Sequence, residues 1–129
     1  MAYKLLVVDD DKAIVDMLEK RLIQEEYEVV VAYDGEEALS KIQKEDPDVI
    51  LLDLMMPKKN GFEVIKEVRA NIKDKWRPII IVSAKNDLDS IKMGYSMEAD
   101  HYLTKPCSMD NLLRGIRTMI SLIPARKEG

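Results

Sequence analysis

The segment VILLDLMMPKKNG spans residues 49–61, and its first four residues are all apolar. Such a run is typical of a strand that is buried on both faces of a sheet. Asp53 follows it directly, and Pro57 and Asn60-Gly61 then interrupt regular structure before the next helix. A carboxylate at the carboxyl end of a buried parallel strand lies where open α/β sheets bind ligands. Asp53 could equally be only the residue that ends the strand, and this segment alone leaves both interpretations open.

The composition is that of one globular domain. The chain has 129 residues, of which 47% are hydrophobic and 34% charged, and it contains only five Gly and five Pro. This length suffices for one core but not for two, and the low Gly and Pro content argues against a disordered chain. We expect a single domain over residues 1–123, followed at 124–129 by a polar tail or by the start of a linker.

Charge and cysteine content narrow the class of protein. The formal net charge of -4 gives no general attraction to nucleic acid or to anionic membranes. No apolar run is long enough to cross a bilayer, and the N-terminus has no signal-sequence pattern. The only cysteine, Cys107, cannot form an internal disulfide, which is typical of a reducing compartment. We therefore expect a cytoplasmic protein that binds neither nucleic acid nor membrane.

Five short apolar runs alternate with five amphipathic segments. The runs at 5–8, 27–32, 49–52, 79–82 and 99–103 predict strands, and each is followed by a helical pattern. Repeated βα units predict an α/β fold with one doubly wound five-stranded parallel sheet, (βα)5, whose ligand crevice lies beyond the carboxyl ends of the strands. The helical residues that we expect to face the core are Ile14, Met17, Leu18, Leu22, Ala38, Leu39, Ile42, Phe62, Ile65, Val68, Ile72, Leu88, Ile91, Tyr95, Met109, Leu112, Leu113, Ile116 and Ile120.

Three helix starts carry capping signals. Asp10 or Asp11 is suited to cap the first helix, and Ser108 the fifth. Asp34 and Glu37 have the spacing of a capping box, in which each side chain bonds the other residue's backbone. Capping explains one acid of the Asp9-Asp10-Asp11 run, but three adjacent carboxylates repel one another and need a further explanation.

Polar side chains stand at the carboxyl ends of four predicted strands. Asp9 and Asp10 follow the first strand, Asp53 the third, Ser83 the fourth and Lys105 the fifth. Three carboxylates, one hydroxyl and one ammonium thus converge on one edge from segments far apart in sequence. Any one of these residues could merely end a strand. The joint arrangement is much harder to explain in that way.

The predicted edge carries an excess of negative charge. One ammonium faces three carboxylates, and crowded carboxylates require a compensating cation. Oxygen ligands without His or Cys suit Mg²⁺, with Mn²⁺ as an alternative and Ca²⁺ as a weaker one. A site of this kind can stabilise phosphoryl transfer to a carboxylate nucleophile.

Four motifs resemble those of response-regulator receiver domains of two-component signalling. They are LVVDDD at residues 6–11, LLDLMMP at 51–57 with Gly61, IVSA at 81–84 and ADHYLTKP at 99–106. The resemblance covers residues 4–123, and the four motifs stand in family order and spacing. It implies the strand order 2-1-3-4-5.

The resemblance implies roles for the residues of the predicted edge. Asp53 resembles the phosphoacceptor, and Asp9 and Asp10 resemble the pair that holds Mg²⁺. The backbone carbonyl of Met55 is implied as a further ligand. Lys105 resembles the lysine that pairs with the phosphoryl group, and its bond to Pro106 is expected to be cis.

The resemblance also implies a switch and its partners. Ser83 matches the hydroxyl residue that contacts the phosphoryl group, and Tyr102 the aromatic residue that turns inward when this hydroxyl moves. The phosphoryl donor would be a sensor histidine kinase or a histidine phosphotransfer protein. The altered surface would comprise the fourth helix, fifth strand and fifth helix, and would control an output protein, a fused effector domain or a homodimer.

Several residues depart from the family pattern or invite other interpretations. Glu98 replaces a Gly that would suit a left-handed helix end, and Cys107, where Phe is common, is expected to be a small buried residue. Met55 cannot hold a hydrolytic water well, which favours a long-lived phosphoaspartate; Lys85 is the second position that tunes this lifetime. His101 is expected to be a solvent-facing strand residue, not a ligand.

Three rival functions remain. A receiver-like interaction module that acts without phosphorylation would be expected to lose site residues, and none is lost here. A metal-dependent phosphatase would often carry a second acid at the position of Met55. A flavin-binding protein would want a Ser-, Thr- or Gly-rich phosphate loop after the first strand, where the three acids of this chain would repel a phosphate.

Overall fold

The computed structural model describes residues 2–56, 58–71 and 74–123. Strands and helices alternate along the chain: β1 (Lys4–Val8), α1 (Lys12–Gln24), β2 (Glu28–Ala32), α2 (Gly35–Glu45), β3 (Val49–Leu52), α3 (Gly61–Ala70), β4 (Ile79–Ser83), α4 (Leu88–Ser96), β5 (His101–Thr104) and α5 (Met109–Ile120). The predicted tail 124–129, Pro57 and Ile72 lie outside the described residues.

The five strands form one parallel sheet in the order β2-β1-β3-β4-β5. This confirms the predicted doubly wound sheet. β3 and β4 are buried at every position because both of their faces are covered. Among the described residues, no helix is long and apolar enough to cross a membrane.

Two apolar cores lie on opposite faces of the sheet. Leu6, Val8 and their neighbours pack against α2, α3 and α4, whereas Leu5 and Val7 pack against α1 and α5. The division follows from the strand itself, since successive side chains point to opposite faces. The helices thereby fix the sheet from both sides, and the loops at its carboxyl edge stay accessible.

Side-chain caps begin the helices where the loops end. The Asp11 carboxylate accepts from the backbone N–H groups of Ala13 and Ile14, so Asp11 rather than Asp10 caps α1. Ser108 caps α5 as predicted. Asn60 and Glu63 form a reciprocal capping box at α3, which the sequence analysis did not predict.

Of the capping box predicted for α2, the Asp34 bond is confirmed and the Glu37 bond has a different partner. Asp34 accepts from Glu37 N–H at 2.8 Å. The Glu37 carboxylate, however, accepts from Tyr33 N–H at 2.7 Å, one residue before the expected partner. The helix start is therefore tied to the end of β2.

The predicted core faces of two helices were partly wrong. In α1, Val15 is buried and Met17 is 56% exposed. In α4, Leu88 and Tyr95 are exposed, and the buried residues are Ser90 and Gly94. Small side chains allow α4 to lie close to the sheet, so its packed face carries no strong apolar signal.

Individual predictions for His101, Cys107, Glu98 and the Lys105–Pro106 bond can be compared with the structure. His101 is half-buried, although the sequence predicts a solvent-facing residue. Cys107 is also half-buried, although the sequence predicts a buried one. The Lys105–Pro106 peptide bond is cis, as the resemblance implied. Glu98 has a φ of 71°, the left-handed conformation that favours Gly.

The loop at 74–78 contains a buried arginine. Arg77 is only 1% exposed, and its guanidinium bonds Asp74 at 2.7 Å and Asp46 at 2.8 Å. Its Nε also donates to the carbonyl of Pro47 at 2.9 Å. This ion-pair network closes the edge of the sheet opposite the polar residues described next.

Candidate functional site

The polar residues predicted at the carboxyl edge are held there by the sheet's own backbone ladder. Asp9 N–H donates to the Ala32 carbonyl at 3.2 Å, and Asp53 N–H to the Val8 carbonyl at 3.0 Å. Lys105 N–H donates to the Ser83 carbonyl at 2.8 Å. The backbone of each residue therefore has a position fixed by a neighbouring strand, and only its side chain is free to serve a site.

Three carboxylates meet at this edge. Asp9, Asp10 and Asp53 each offer an oxygen, and the three oxygens lie within 4.8 Å of one another. Asp9 and Asp53 are 4% and 7% exposed, whereas Asp10 is open to solvent. The site is therefore a partly buried acidic pocket that is open to solvent on the side of Asp10.

Lys105 is the cation that the carboxylates contact directly. Its Nζ lies 2.6 Å from Asp9 Oδ2 and 3.6 Å from Asp53 Oδ2. Burial alone would lower the pKa of the Lys105 ammonium, but the hydrogen bond to Asp9 and the two negative charges outweigh burial and raise it. Lys105 thus stays charged and neutralises part of the pocket.

Asp53 is the carboxylate that burial perturbs. Burial raises its pKa, the Asp9 charge adds to the rise, and Lys105 and the Met55 N–H oppose it. Met55 N–H lies 3.3 Å from Asp53 Oδ1. One oxygen of Asp53 therefore faces the backbone of its own loop, and the other faces Lys105.

Ser83 and Tyr102 connect the pocket at the end of β4 to the neighbouring strand β5. Ser83 is fully buried, and its hydroxyl accepts from Lys85 N–H at 3.3 Å. Burial raises the pKa of both Asp53 and Tyr102, and the Ser83 hydroxyl partly opposes this rise. The Tyr102 hydroxyl donates to the Lys85 carbonyl at 2.7 Å. Burial and the Asp87 charge nevertheless raise the pKa of Tyr102, whose ring is only 8% exposed. Tyr102 already occupies the inward position.

The donor set fits a hard divalent cation. All three side chains at the pocket offer oxygen, and the charge of Lys105 leaves an excess of two negative charges. Oxygen ligands and an open side for water are what Mg²⁺ prefers. The residues that would hold it are Asp9, Asp10 and Asp53. The predicted participation of the Met55 carbonyl stays a prediction.

Sequence reasoning missed one part of the site. Lys85 joins Ser83 to Tyr102 through its backbone N–H and carbonyl, not through its side chain. A backbone bridge leaves no signature in residue type, so no sequence signal could have found it. A shallow cavity of about 540 Å³ opens beside it, lined by Asp10, Leu54, Met55, Met56, Asn60, Phe62 and Lys85.

Comparisons with known proteins identify the family and agree with the fold. A family model described as the response regulator receiver domain matches residues 5–117. The chemotaxis protein CheY4 of Vibrio cholerae is 35% identical, with a TM-score of 0.86, over 92% of this chain and 99% of that chain. A CheY-like response regulator receiver domain protein from Methanospirillum hungatei is 30% identical, with a TM-score of 0.87, over 100% of both chains. The receiver domain of Francisella response regulator 1452 is 35% identical, with a TM-score of 0.86, over 94% of this chain and 98% of that chain.

Proposed function

Because the chain belongs to the response regulator receiver domain family, we propose that Asp53 accepts a phosphoryl group in a Mg²⁺-dependent reaction. Receiver domains are signalling domains, not conventional enzymes, and they bind Mg²⁺ at an acidic pocket. They interact with histidine kinases or phosphotransfer proteins and with output domains. For this chain we propose a sensor histidine kinase or a histidine phosphotransfer protein as the donor, and the cytoplasm as its location.

The observation that carries the proposal is the position of Asp53 among opposite and like charges. Its carboxylate is nearly buried, lies 3.6 Å from the Lys105 ammonium and shares a 4.8 Å cluster with Asp9 and Asp10. A carboxylate in this setting can attack phosphorus while the surrounding cations bind the phosphoryl oxygens. Asp9 is less suited as the nucleophile, because its Oδ2 already binds Lys105 at 2.6 Å and its Oδ1 accepts from Asp11 N–H at 3.0 Å.

The proposed step is a direct displacement at phosphorus. An oxygen of Asp53 forms the new P–O bond, the P–N bond of the donor phosphohistidine breaks, and the imidazole keeps the electron pair and takes a proton from solvent. Bound Mg²⁺ would neutralise charge on the phosphoryl oxygens. Lys105 would pair with one of these oxygens, and Met55 N–H would hold the Asp53 carboxylate in orientation.

We propose that Ser83 and Tyr102 report the phosphoryl group to the surface. A phosphoryl group adds about 1.5 to 2 negative charges and three acceptor oxygens. The Ser83 hydroxyl is near enough to Asp53 to affect its pKa and would turn towards these oxygens. Tyr102 is bonded to the same loop through Lys85, so movement of Ser83 would change how firmly the ring is held.

The surface that would respond consists of α4, β5 and α5. α4 exposes Leu88, Met93 and Tyr95, which are 62%, 48% and 47% accessible. Apolar side chains exposed on one helix favour contact with another protein. We propose that this surface binds an output protein or a fused effector domain, or forms a homodimer.

The phosphoaspartate of this chain is proposed to be long-lived. Met55 is 56% exposed beside the site, and the sulfur of its side chain is too weak an acceptor to hold an attacking water well. Loss of the phosphoryl group would therefore be slow. Met55→Asn should shorten the lifetime, as followed by the decay of the adduct after removal of the donor, and an unchanged or longer lifetime would contradict this explanation.

The experiment that tests the function is intact-mass analysis after incubation with a small phosphodonor, with and without Mg²⁺. One phosphoryl adduct should form only with Mg²⁺, and it should be absent from Asp53→Asn. Asp110→Asn, an exposed carboxylate in α5, serves as the matched control and should be modified like the wild type. Failure of the wild type with every donor would favour an interaction module that acts without phosphorylation.

A further inference from the structure

The loop that follows Asp53 rests on the start of α2. Gly35 is buried there, and a Cβ added to it would lie 2.2 Å from the Lys59 carbonyl oxygen and 2.5 Å from Lys59 Cβ. Both distances are far inside van der Waals contact. Gly35 has no positive φ, so the chain requires a glycine here for space and not for backbone conformation.

A second glycine packs against the other end of the same loop. A Cβ on Gly61 would lie 2.6 Å from the Asp53 carbonyl oxygen and 2.7 Å from Leu54 Cα. Gly61 N–H donates to the Leu54 carbonyl at 3.0 Å. The described loop residues, 53–56 and 58–60, are thus bounded by α3 on one side and by α2 on the other.

The start of α2 is itself firmly held. Asp34 and Glu37 bond the backbone at 2.8 and 2.7 Å, and the Ala32 carbonyl just before them accepts from Asp9 N–H. Lys58 Nζ adds an ion pair to Asp34 Oδ2 at 3.6 Å. The segment that supports the loop is therefore continuous with the strand that places Asp9.

We propose that Gly35 is a positioning residue for the Asp53 site. Its missing side chain lets residues 58–60 lie against α2. This contact positions Met55, whose N–H lies 3.3 Å from Asp53 Oδ1, and so orients the Asp53 carboxylate towards Asp9 and Asp10. The inference rests on the proposed function, since it concerns the same pocket. A backbone carbonyl cannot swing away as a flexible side-chain end can, so a larger residue at 35 has to displace the loop.

The test compares Gly35→Ala with Gly115→Ala. Gly115 lies in α5, where the atoms nearest to an added Cβ belong to side chains, with His101 Cδ2 at 3.1 Å and Leu103 Cδ1 at 3.8 Å. Mg²⁺ binding is measured by calorimetry without a phosphodonor, adduct formation by intact mass, and stability by urea unfolding. Gly35→Ala should raise the Mg²⁺ dissociation constant about tenfold. At saturating Mg²⁺ its phosphorylation should be about tenfold slower.

The outcomes separate this inference from the proposed function. Gly115→Ala should match the wild type in Mg²⁺ affinity and rate, even if its stability changes. If Gly35→Ala stays folded and matches the wild type in Mg²⁺ affinity and in phosphorylation rate, the inference is wrong, but the proposed function is unaffected. If the wild type binds Mg²⁺ but forms no adduct, the proposed function fails, and weakened Mg²⁺ binding by Gly35→Ala would still support the inference.

A second pair of variants covers the case in which Gly35→Ala does not fold. Lys58→Ala cuts the ion pair to α2, whereas Lys59→Ala cuts the pair to Glu67 of α3 at 3.2 Å. Both remove one charge from the same loop, so the general electrostatic effect on Mg²⁺ is matched. Lys58→Ala should bind Mg²⁺ more weakly than Lys59→Ala, and equal or reversed affinities would overturn the inference.

Discussion

Lys105 Nζ lies 1.0 Å closer to Asp9 than to Asp53, at 2.6 Å against 3.6 Å. The lysine therefore compensates the charge of Asp9 more closely than that of Asp53. A bound Mg²⁺ ion would supply the positive charge that Asp53 still lacks. This asymmetry leads to the first prediction.

Lys105→Met should destabilise the protein by about 2 kcal/mol without Mg²⁺, because two nearly buried carboxylates lose their cation. Mg²⁺ should restore most of this loss, since it binds the folded protein and stabilises it by mass action. Urea unfolding with and without Mg²⁺ measures both effects. Lys66→Met, at an exposed site on α3, is the control. A variant that is as stable as the wild type without Mg²⁺ would contradict the prediction.

Tyr102→Phe should lower the free energy of unfolding by about 1 kcal/mol, because the hydrogen bond to the Lys85 carbonyl is lost. Phosphorylation of Asp53 should proceed unchanged, since Tyr102 does not touch the carboxylates. Tyr95→Phe, on the exposed face of α4, should leave stability unchanged. Equal stabilities of the two variants would show that the Tyr102 hydroxyl is dispensable.

Glu98→Gly should stabilise the protein by about 0.5 to 1 kcal/mol, because Glu98 adopts a φ of 71° that a side chain disfavours. The Glu98 carbonyl, which accepts from Arg69 Nε at 3.0 Å, is kept in the variant. Glu98→Ala removes the same charge but retains Cβ and should give no gain. Urea unfolding measures the free energies of unfolding of the two variants. A gain in stability for Glu98→Ala would refute the conformational explanation.

Asp74→Asn should destabilise the protein at neutral pH and less so in acid. The hydrogen bond from Arg77 lowers the pKa of Asp74 below its ordinary value, so the pair stabilises the fold above the unfolded-state pKa. This contribution disappears as the pH falls through the folded-state pKa. Stability curves against pH for this variant and for exposed Asp16→Asn should diverge at neutral pH and converge in acid. Parallel curves would contradict the prediction.

The parts of the fold that the sequence predicts are those with strong periodic or chemical signals. The wholly apolar runs of β3 and β4 identify buried strands, and a parallel sheet then brings Asp9, Asp53, Ser83 and Lys105 to one edge whatever the details of packing. Convergence of the site could thus be predicted without coordinates. The assignment of a role to each residue came from the resemblance and stays a prediction.

The parts that the sequence did not predict depend on packing. The α4 face is built from Ser90 and Gly94, which a search for apolar residues overlooks, while Leu88 and Tyr95 lie outside. Arginine is usually a surface residue, but Arg77 is buried, and ion pairs with Asp46 and Asp74 compensate its charge. In such cases the neighbours, and not the residue type, determine burial.

The most direct test of the account is to locate the phosphoryl group chemically. Wild-type protein treated with a small phosphodonor and Mg²⁺ is reduced with borohydride, which converts an acyl phosphate of Asp into homoserine, and is then mapped by peptide mass spectrometry. We predict homoserine at position 53 alone, and none when Mg²⁺ is omitted. Homoserine at position 9 or 10, or none at any position, would contradict it.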